Sequence, residues 1–319
     1  MDRTEREPLA AMPRCMAPPS SIETNRATLA DQPKCSRIRC AIVTRFLPQD
    51  RAPMRPWILA ELNYGFVKDN PPYDVAVLPF GATEPHNLHL PYGTDTFQVD
   101  EIARLACETA WKAAARVALL PTIPYGTETN QMKFPFAMNL NPATLAKIVE
   151  DLVASLATHH IRKCVLLNGH GGNDFKWILR DLHLKYPVHL FLCSWFKMAT
   201  DRYDSIFDDA GDHAGELETS MGLAHFPELV KMDQADEGRM AVNRFDAVRR
   251  GWVEITRPWH LLTSNSGAGD PRPATAEKGR AVTSIVVERL SAFLVELAAS
   301  PLDNQFPFQS DKDRSGDPS

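Results

Sequence analysis

Long apolar runs are missing from this chain: none approaches the roughly 18 residues that a membrane-crossing helix needs. The start, Met1-Asp2-Arg3-Thr4-Glu5-Arg6-Glu7, does not lead into the apolar stretch of a secretory signal. An excess of basic charge is missing too. With 35 Lys and Arg against 40 Asp and Glu, a net charge of −5, nothing electrostatic favours nucleic acid or an anionic membrane as a partner. Cysteines number six, and no CxxC pair occurs among them. Cys15, Cys35 and Cys40 precede the first regular pattern, while Cys107, Cys164 and Cys193 sit in apolar contexts that suit buried free thiols. The lack of a disulfide framework makes a reducing cytoplasm the expected compartment. What remains is ordinary globular material. It comprises 319 residues, 44% of them hydrophobic, enough to bury a sizeable core in one large α/β domain or two small ones.

Residues 1–53 carry seven prolines and no sustained periodicity, which predicts a disordered tail, with Met54 as an alternative start. From Arg55 onward strand and helix patterns alternate. Strands are expected over Val75–Phe80, Val117–Leu120, Cys164–Leu167 and Val188–Trp195. Helices are expected over Thr96–Arg116, Pro142–Leu156, Asp174–Leu184 and Ala276–Ala299. Pro142 suits a first helical turn, and Thr275 is a candidate N-cap. Such alternation implies an α/β fold, a mostly parallel sheet covered on both faces. One principal domain is expected over 54–300, followed by a polar, frayed tail over 301–319.

Three segments concentrate residues that can do chemistry. The first, Gly81 to Asp95, follows the Val75–Phe80 strand and holds Glu84, His86, His89 and Asp95. Glu84 and His86 lie two apart, so an extended loop end can aim both toward one point. Mixed oxygen and nitrogen donors suit zinc, manganese or iron, whereas calcium and magnesium sites rarely use histidine. A solvated polar loop is the plain alternative. The second segment, Asn168-Gly169-His170-Gly171-Gly172-Asn173, puts His170 at the carboxyl end of a strand, where open α/β sheets place their ligands. Its glycines could instead cradle a phosphate, although the Lys-Ser/Thr of a P-loop is absent. The third runs from Asp212 to Ser220. Were His213 helical it would share a face with Glu216, with Glu218 pointing elsewhere; a helix starting near Gly215 would leave His213 in a loop, free for catalysis.

Together these segments resemble the creatininase (creatinine amidohydrolase) family. The pattern is a Glu-x-His-x-x-His-Leu-Pro loop with a following Asp, then Asn-Gly-His-x-x-Asn, then His-Ala-Gly-x-x-Glu-Thr-Ser. The later run Gly269-Asp270-Pro271 through Ala274-Thr275 to Glu277-Lys278-Gly279 is similar to that family's late segment. The resemblance spans roughly residues 54–300, in order, and implies a creatininase-like three-layer αβα sandwich.

It also implies a chemistry. Glu84 and His170 would hold one divalent ion and His86 the other, with Asp95 bridging them. The ions would be zinc foremost, with manganese or iron as alternatives. A shared carboxylate lowers the repulsion between two dications, and the pair can polarise a carbonyl and supply a metal-bound hydroxide to attack it. His213 is the implied proton shuttle. Glu218 is expected to act with it or to ligate the second ion, with Glu216 as the competing carboxylate. His89, Glu128 and Gln131 are expected to orient ligands or to face substrate. A homo-oligomer, a hexamer of three dimers, is implied as well, with the apolar segment Trp252–Leu262 as a contact surface. His159, His160, His183, His189, His225 and His260 lack any such context.

The chain departs from the creatinine-hydrolysing pattern where substrate would be held. Gly171 and Gly172 replace a Tyr-Glu pair, so one carboxylate near the metals must come from elsewhere. Asp209-Ala210 stands where Trp-Asp is expected. Glu128, Gln131 and Phe134-Pro135-Phe136-Ala137 replace the usual Ser, His and Phe-Pro-Gly-Thr, and Pro85 and Asn87 a common Gln and Gly. Ligands kept with a changed lining predict a hydrolase acting on a cyclic amide, a formamide or a related small carbonyl compound. The alternatives are a family hydrolase that cleaves a ring ketone, and a non-catalytic binding protein that retains the fold.

Overall fold

The computed structural model describes residues 54–70 and 72–309. The tail expected over 1–53, with Cys15, Cys35 and Cys40, lies outside the described residues, as does 310–319. Chain order begins with a short helix, α1 (Tyr64–Asp69), whose first turn is capped by the Asn63 side chain accepting from Phe66 N at 2.9 Å. Strand β1 (Val75–Phe80) follows, then α2 (Thr94–Lys112) and β2 (Val117–Leu119). Next come α3 (Pro142–Thr158), β3 (Lys163–Asn168), α4 (Lys176–Leu182) and β4 (His189–Ser194). Helix α5 (Glu216–His225), the single turns α6 (Asp246–Arg249) and α7 (Trp259–Leu262), and the long α8 (Ala276–Ala299) complete it.

The four strands form one parallel sheet in the order β2-β1-β3-β4. Alternation along the strands divides the core in two. Val75 and Val77 of β1 and Val165 and Leu167 of β3 face one cluster, shared with Val99 and Ile102 of α2, Met221 of α5, and Val282, Val286, Leu290 and Leu294 of α8. Ala76, Leu78 and Phe80, with Cys164 and Leu166, face the other, which Leu145, Val149 and Val153 of α3 and Ile178 and Leu182 of α4 close. The four-residue spacing on α3 keeps its apolar side chains on one helix face. Burial of each such Leu or Val contributes about 1.5–3 kcal/mol. The result is the expected three-layer αβα sandwich.

Helix ends shift by a few residues for local reasons. Helix α2 stops at Lys112, before Ala114 takes a positive φ of 67°. Asp174 lies ahead of α4 rather than in it, its carboxylate accepting from Lys176 N at 3.1 Å. Thr275 is the N-cap of α8, its hydroxyl accepting from Lys278 N. At the other end Lys163, at the start of β3, donates to the carbonyls of Leu297 and Ser300 at 2.7 and 2.6 Å, satisfying the last turn of α8. Within the described part of the expected tail, the Phe306 ring lies 4.7 Å from His189 and 6.2 Å from Phe191, beside the edge strand β4, while most of its neighbours are exposed. Among the described residues no helix is long and apolar enough to cross a membrane.

Candidate metal centre

Strand β1 has β2 on one side and β3 on the other, so the chain leaves neighbouring strands β1 and β3 in opposite directions, opening a crevice at their carboxyl ends. The loop after β1 carries Glu84, His86 and His89 into that crevice, and the first turn of α2 adds Asp95. His170 enters directly after β3, and the long connection from β2 to α3 supplies Glu128 and Gln131. The stretch leading into α5 brings His213 and Glu218. Gly169 makes the turn into His170 possible: a Cβ there would lie 2.7 Å from the Val99 side chain and 3.0 Å from the Asp95 carbonyl.

Asp95 is the centre of the arrangement. Its Oδ1 lies 3.0 Å from His86 Nε2, and its Oδ2 lies 2.8 Å from His170 Nδ1. Glu84 Oε1 stands 2.8 Å from the same His170 nitrogen, and Glu218 Oε2 3.8 Å from His86 Nε2. Three overlapping sets of donors therefore converge: Glu84, Asp95 and His170; His86, Asp95 and Glu218; and Glu84, His86 and His213. Glu84, His86 and Asp95 are fully or almost fully buried. A carboxylate at the start of α2 is also favoured by the positive end of the helix dipole.

Two observations test whether such a cluster suits divalent cations. First, Glu84 Oε1 and Asp95 Oδ2 are buried oxygens with no hydrogen-bond donor in line, only the one His170 nitrogen beside both. Lone pairs of this kind are costly unless a cation takes them. Second, four carboxylates (Glu84, Asp95, Glu128 and Glu218) line one cavity, and the guanidinium beside them, Arg257, is already paired with Asp212. Carboxylates gathered this closely repel one another, and bound cations would offset that repulsion. The side chains feel this crowding. Burial resists charging of His86, but Asp95, Glu218 and Glu84 outweigh it and raise its pKa to about 10. Asp95, despite its burial, is held well below the usual carboxylate range by His86 and His170. Burial pushes Glu218 up to about 7, against the pull of His86.

Other expected residues surround these. His213 stays in a loop because α5 begins at Glu216, with Gly215 as its N-cap. Its backbone is pinned by Ala268, which accepts from His213 N at 3.0 Å and donates to His213 O at 2.7 Å. Its Nε2 lies 3.0 Å from the Pro85 carbonyl, which leaves Nδ1 facing the cavity, 3.9 Å from Glu84 Oε1. The neighbouring Ala214 takes the left-handed conformation, φ 49°, and its N–H donates to Glu218 Oε2 at 2.6 Å. Gln131 donates to Glu84 Oε2, and its own carbonyl lies 2.8 Å from the Ser266 hydroxyl. Glu128 Oε1 lies 2.7 Å from His170 Nε2, so a carboxylate approaches His170 from the β2–α3 connection although Gly171 and Gly172 carry none.

One expectation needs correction in placement. Glu216 does not reach the crevice: its carboxylate accepts from Asp208 N and Asp209 N at 2.9 and 3.1 Å and pairs with Lys278 of α8. A helix beginning at residue 216 turns that side chain toward α8 and Glu218 toward His86. His89 lies outside the three donor sets; its Nε2 is 2.8 Å from the Thr219 hydroxyl, next to Glu218. Thr219 had a signal in the Glu-Thr-Ser run, whereas Arg257 and the buried Trp259, expected within the contact surface over Trp252–Leu262, line the mouth of the cavity. The Trp259 ring stands edge-on to His213 at 4.9 Å, and Arg257 stacks on it at 4.9 Å. Asn168 and Asn173 had a signal, since both belong to the Asn-Gly-His-x-x-Asn motif. Asn168 donates to the His170 carbonyl at 2.8 Å, and Asn173 accepts from Thr127 N at 3.0 Å, locking the two loops together.

The cavity over this cluster holds about 450 Å³. A family model described as "Creatininase: Creatinine amidohydrolase" matches residues 60–294. The chain is 28% identical to the mycofactocin precursor peptide peptidase of Mycobacterium ulcerans (strain Agy99), over 66% of this chain and 81% of that protein. It is 28% identical to the creatinine amidohydrolase of Pseudomonas putida, over 68% and 87%. The 3-dehydro-scyllo-inosose hydrolase of Thermotoga maritima matches at 28%, over 51% and 53%. Among solved structures, a Bacteroides fragilis NCTC 9343 protein provisionally named a creatinine amidohydrolase superposes with a TM-score of 0.74 at 37% identity, covering 78% of this chain and 99% of that one. Creatininase in a manganese form shares the fold at a TM-score of 0.64 and 23% identity, covering 77% of this chain and all of its own.

Proposed function

The chain belongs to the creatininase family of hydrolases, and on that premise we propose that it opens a carbon–nitrogen bond of a small cyclic amide or formamide at a two-metal centre. Glu84, His170 and Asp95 would hold one divalent ion and His86, Glu218 and Asp95 a second; zinc is the first candidate, then manganese or iron. The observation that carries this reading is Asp95 offering one oxygen to each of two histidines, at 3.0 and 2.8 Å, with a further carboxylate beside each. When bound, such a pair polarises a carbonyl and makes a nucleophile of water at neutral pH.

The protein's own groups do the rest. His213 moves the proton: Nε2 is committed to the Pro85 carbonyl, so the Nδ1 lone pair is free to accept, and burial together with His86 lowers its pKa and keeps it neutral beforehand. Gln131 fixes Glu84, with Ser266 steadying Gln131 in turn. Thr129, Asn130 and Trp259 line the cavity where a small polar ring would lie. The absence of side chains at Gly171 and Gly172 argues for a substrate other than creatinine. A ring ketone is the second reading, favoured by the Thermotoga maritima relative, a hydrolase of an inosose. The protein acts as a homo-oligomer, a hexamer by family likeness, with Trp252 (73% exposed) and Leu261 (68% exposed) offering apolar contact surface. Light scattering tests that assembly.

The decisive experiment is a hydrolysis screen of the metal-loaded protein across lactams, formamides, cyclic ketones and short peptides, with creatinine as comparator. Turnover of a lactam or formamide is expected. Creatinine turnover at a kcat/KM of about 10⁴ M⁻¹s⁻¹ or above would refute the substrate reading. No turnover of any of these by protein carrying its metals would leave a binding role instead.

A further inference from the structure

We infer that Glu128 is a positioning residue of this centre, acting through His170 and dependent on the absence of a side chain at Gly172. The inference rests on the reading of the cluster as a metal site. The His170 ring stands between two acidic sides. Its Nδ1 lies 2.8 Å from both Glu84 Oε1 and Asp95 Oδ2, while its Nε2 lies 2.7 Å from Glu128 Oε1 and 3.3 Å from the Thr127 carbonyl. A neutral imidazole carries one ring hydrogen, on one nitrogen or the other. A nitrogen that offers its lone pair to a cation in the corner between Glu84 and Asp95 must leave that hydrogen on the opposite side. The Thr127 carbonyl accepts in line there, and Glu128 Oε1, closer at 2.7 Å but off that line, is the second acceptor and the stronger in kind because it is charged. Glu128 thereby sets which nitrogen is free and raises the basicity of the ligand.

Glu128 is built for this task rather than for a surface role. It is buried, and among the described residues His170 is its one ion-pair contact. Its loop is fixed on both sides: Glu128 N donates to Asn139 Oδ1 at 2.8 Å and Thr127 N to Asn173 Oδ1 at 3.0 Å. The second half of the device is Gly172. A Cβ there would overlap His170 Nε2 and lie 2.7 Å from the Thr127 carbonyl, so the ring occupies space that only glycine leaves. Any side chain at 172 would push the imidazole away from Glu128. The two positions should therefore fail together rather than independently.

The test is cobalt(II) titration of full-length protein stripped by chelator, read by visible absorption, for wild type, E128A, E128Q, G172A and E128A/G172A. E128A is expected to weaken cobalt binding about 10–100-fold and to alter the absorption bands of the bound ion, which a merely structural change would not do. E128Q keeps an acceptor oxygen and should restore most of the affinity. G172A should weaken binding too, and the double variant should be little worse than the weaker single one. Wild-type affinity in E128A, an E128Q as weak as E128A, or losses that add in the double variant would each overturn the inference while leaving the metal centre intact. A wild-type chain that takes up no cobalt would overturn both. Should E128A not fold, E128Q and G172A decide alone: near-normal binding in the first with weak binding in the second supports the inference, and the reverse removes it.

Discussion

Glu216 and Glu218, two residues apart on α5, face different parts of the molecule. Glu216 is buried against Lys278 of α8, while Glu218 Oε2 lies 3.8 Å from His86 Nε2. Replacing each should separate stability from metal binding. Glu216→Ala removes the partner of Lys278 (24% exposed) and the acceptor of two backbone N–H groups, a loss of about 2–4 kcal/mol. Metal content should hold in that variant while the thermal midpoint falls. Glu218→Ala should do the opposite, losing about one of two ions with a small change in the midpoint of the metal-free protein. Elemental analysis and thermal melts on both variants check this, and a matched pattern in the two would defeat it.

Asp95→Ala should abolish binding of both ions, because both oxygens of the carboxylate face histidines. His86→Ala should loosen one preferentially, leaving Glu84 and His170 in place. The measurement is the metal-to-protein ratio after gentle purification and again after reconstitution. About two ions per subunit in the parent chain is the expected reference; a parent that neither carries nor retains metal would sink the central claim.

Gly279 permits the close crossing of α5 and α8, since a Cβ there would overlap the Ser220 carbonyl and lie 2.9 Å from Ala224 Cβ. Gly279→Ala is expected to cost about 1–3 kcal/mol, read as a drop of several degrees in the melting midpoint. Gly171→Ala is the contrast: a Cβ at that position would meet no atom within 4 Å, and the midpoint should barely move.

Burial pushes the thiols of Cys107, Cys164 and Cys193 up to about 12. At pH 8 about one in 10⁴ of each is then thiolate, the reactive form. Iodoacetamide labelling at pH 8, mapped by mass spectrometry, should leave all three unmodified in the native protein and label them in guanidinium. Rapid native labelling of Cys164, which faces the core from β3, would contradict the packing described.

Much of the fold was legible because its signals are local. The short continuous apolar runs in Val75–Phe80 and Lys163–Asn168, the four-residue spacing on α3 and the Thr275 cap each depend on neighbours within a turn or a few residues. The loop from Glu84 to Asp95 was legible as a ligand source for the same reason, its donors lying close along the chain. Glu216 was the hard case. Its fate depends on where α5 begins and on a lysine 62 residues away, and neither follows from local spacing. His89 was similar, its partner Thr219 being 130 residues distant.

By itself, then, the amino-acid order determined the strand and helix pattern, the kind of donor atoms and the loops that bear them, because propensity and periodicity act over a few residues. Only the tertiary structure decided which carboxylates meet which histidines. The parallel pairing of β1 with both β2 and β3 brings three loops to one end of the sheet, where Glu128 finds His170. The packing of α5 on α8 then sends Glu216 to Lys278 and leaves Glu218 for His86. Ion pairs form between groups that the backbone has already brought within a few ångströms, so their partners follow from register and packing rather than from distance along the chain.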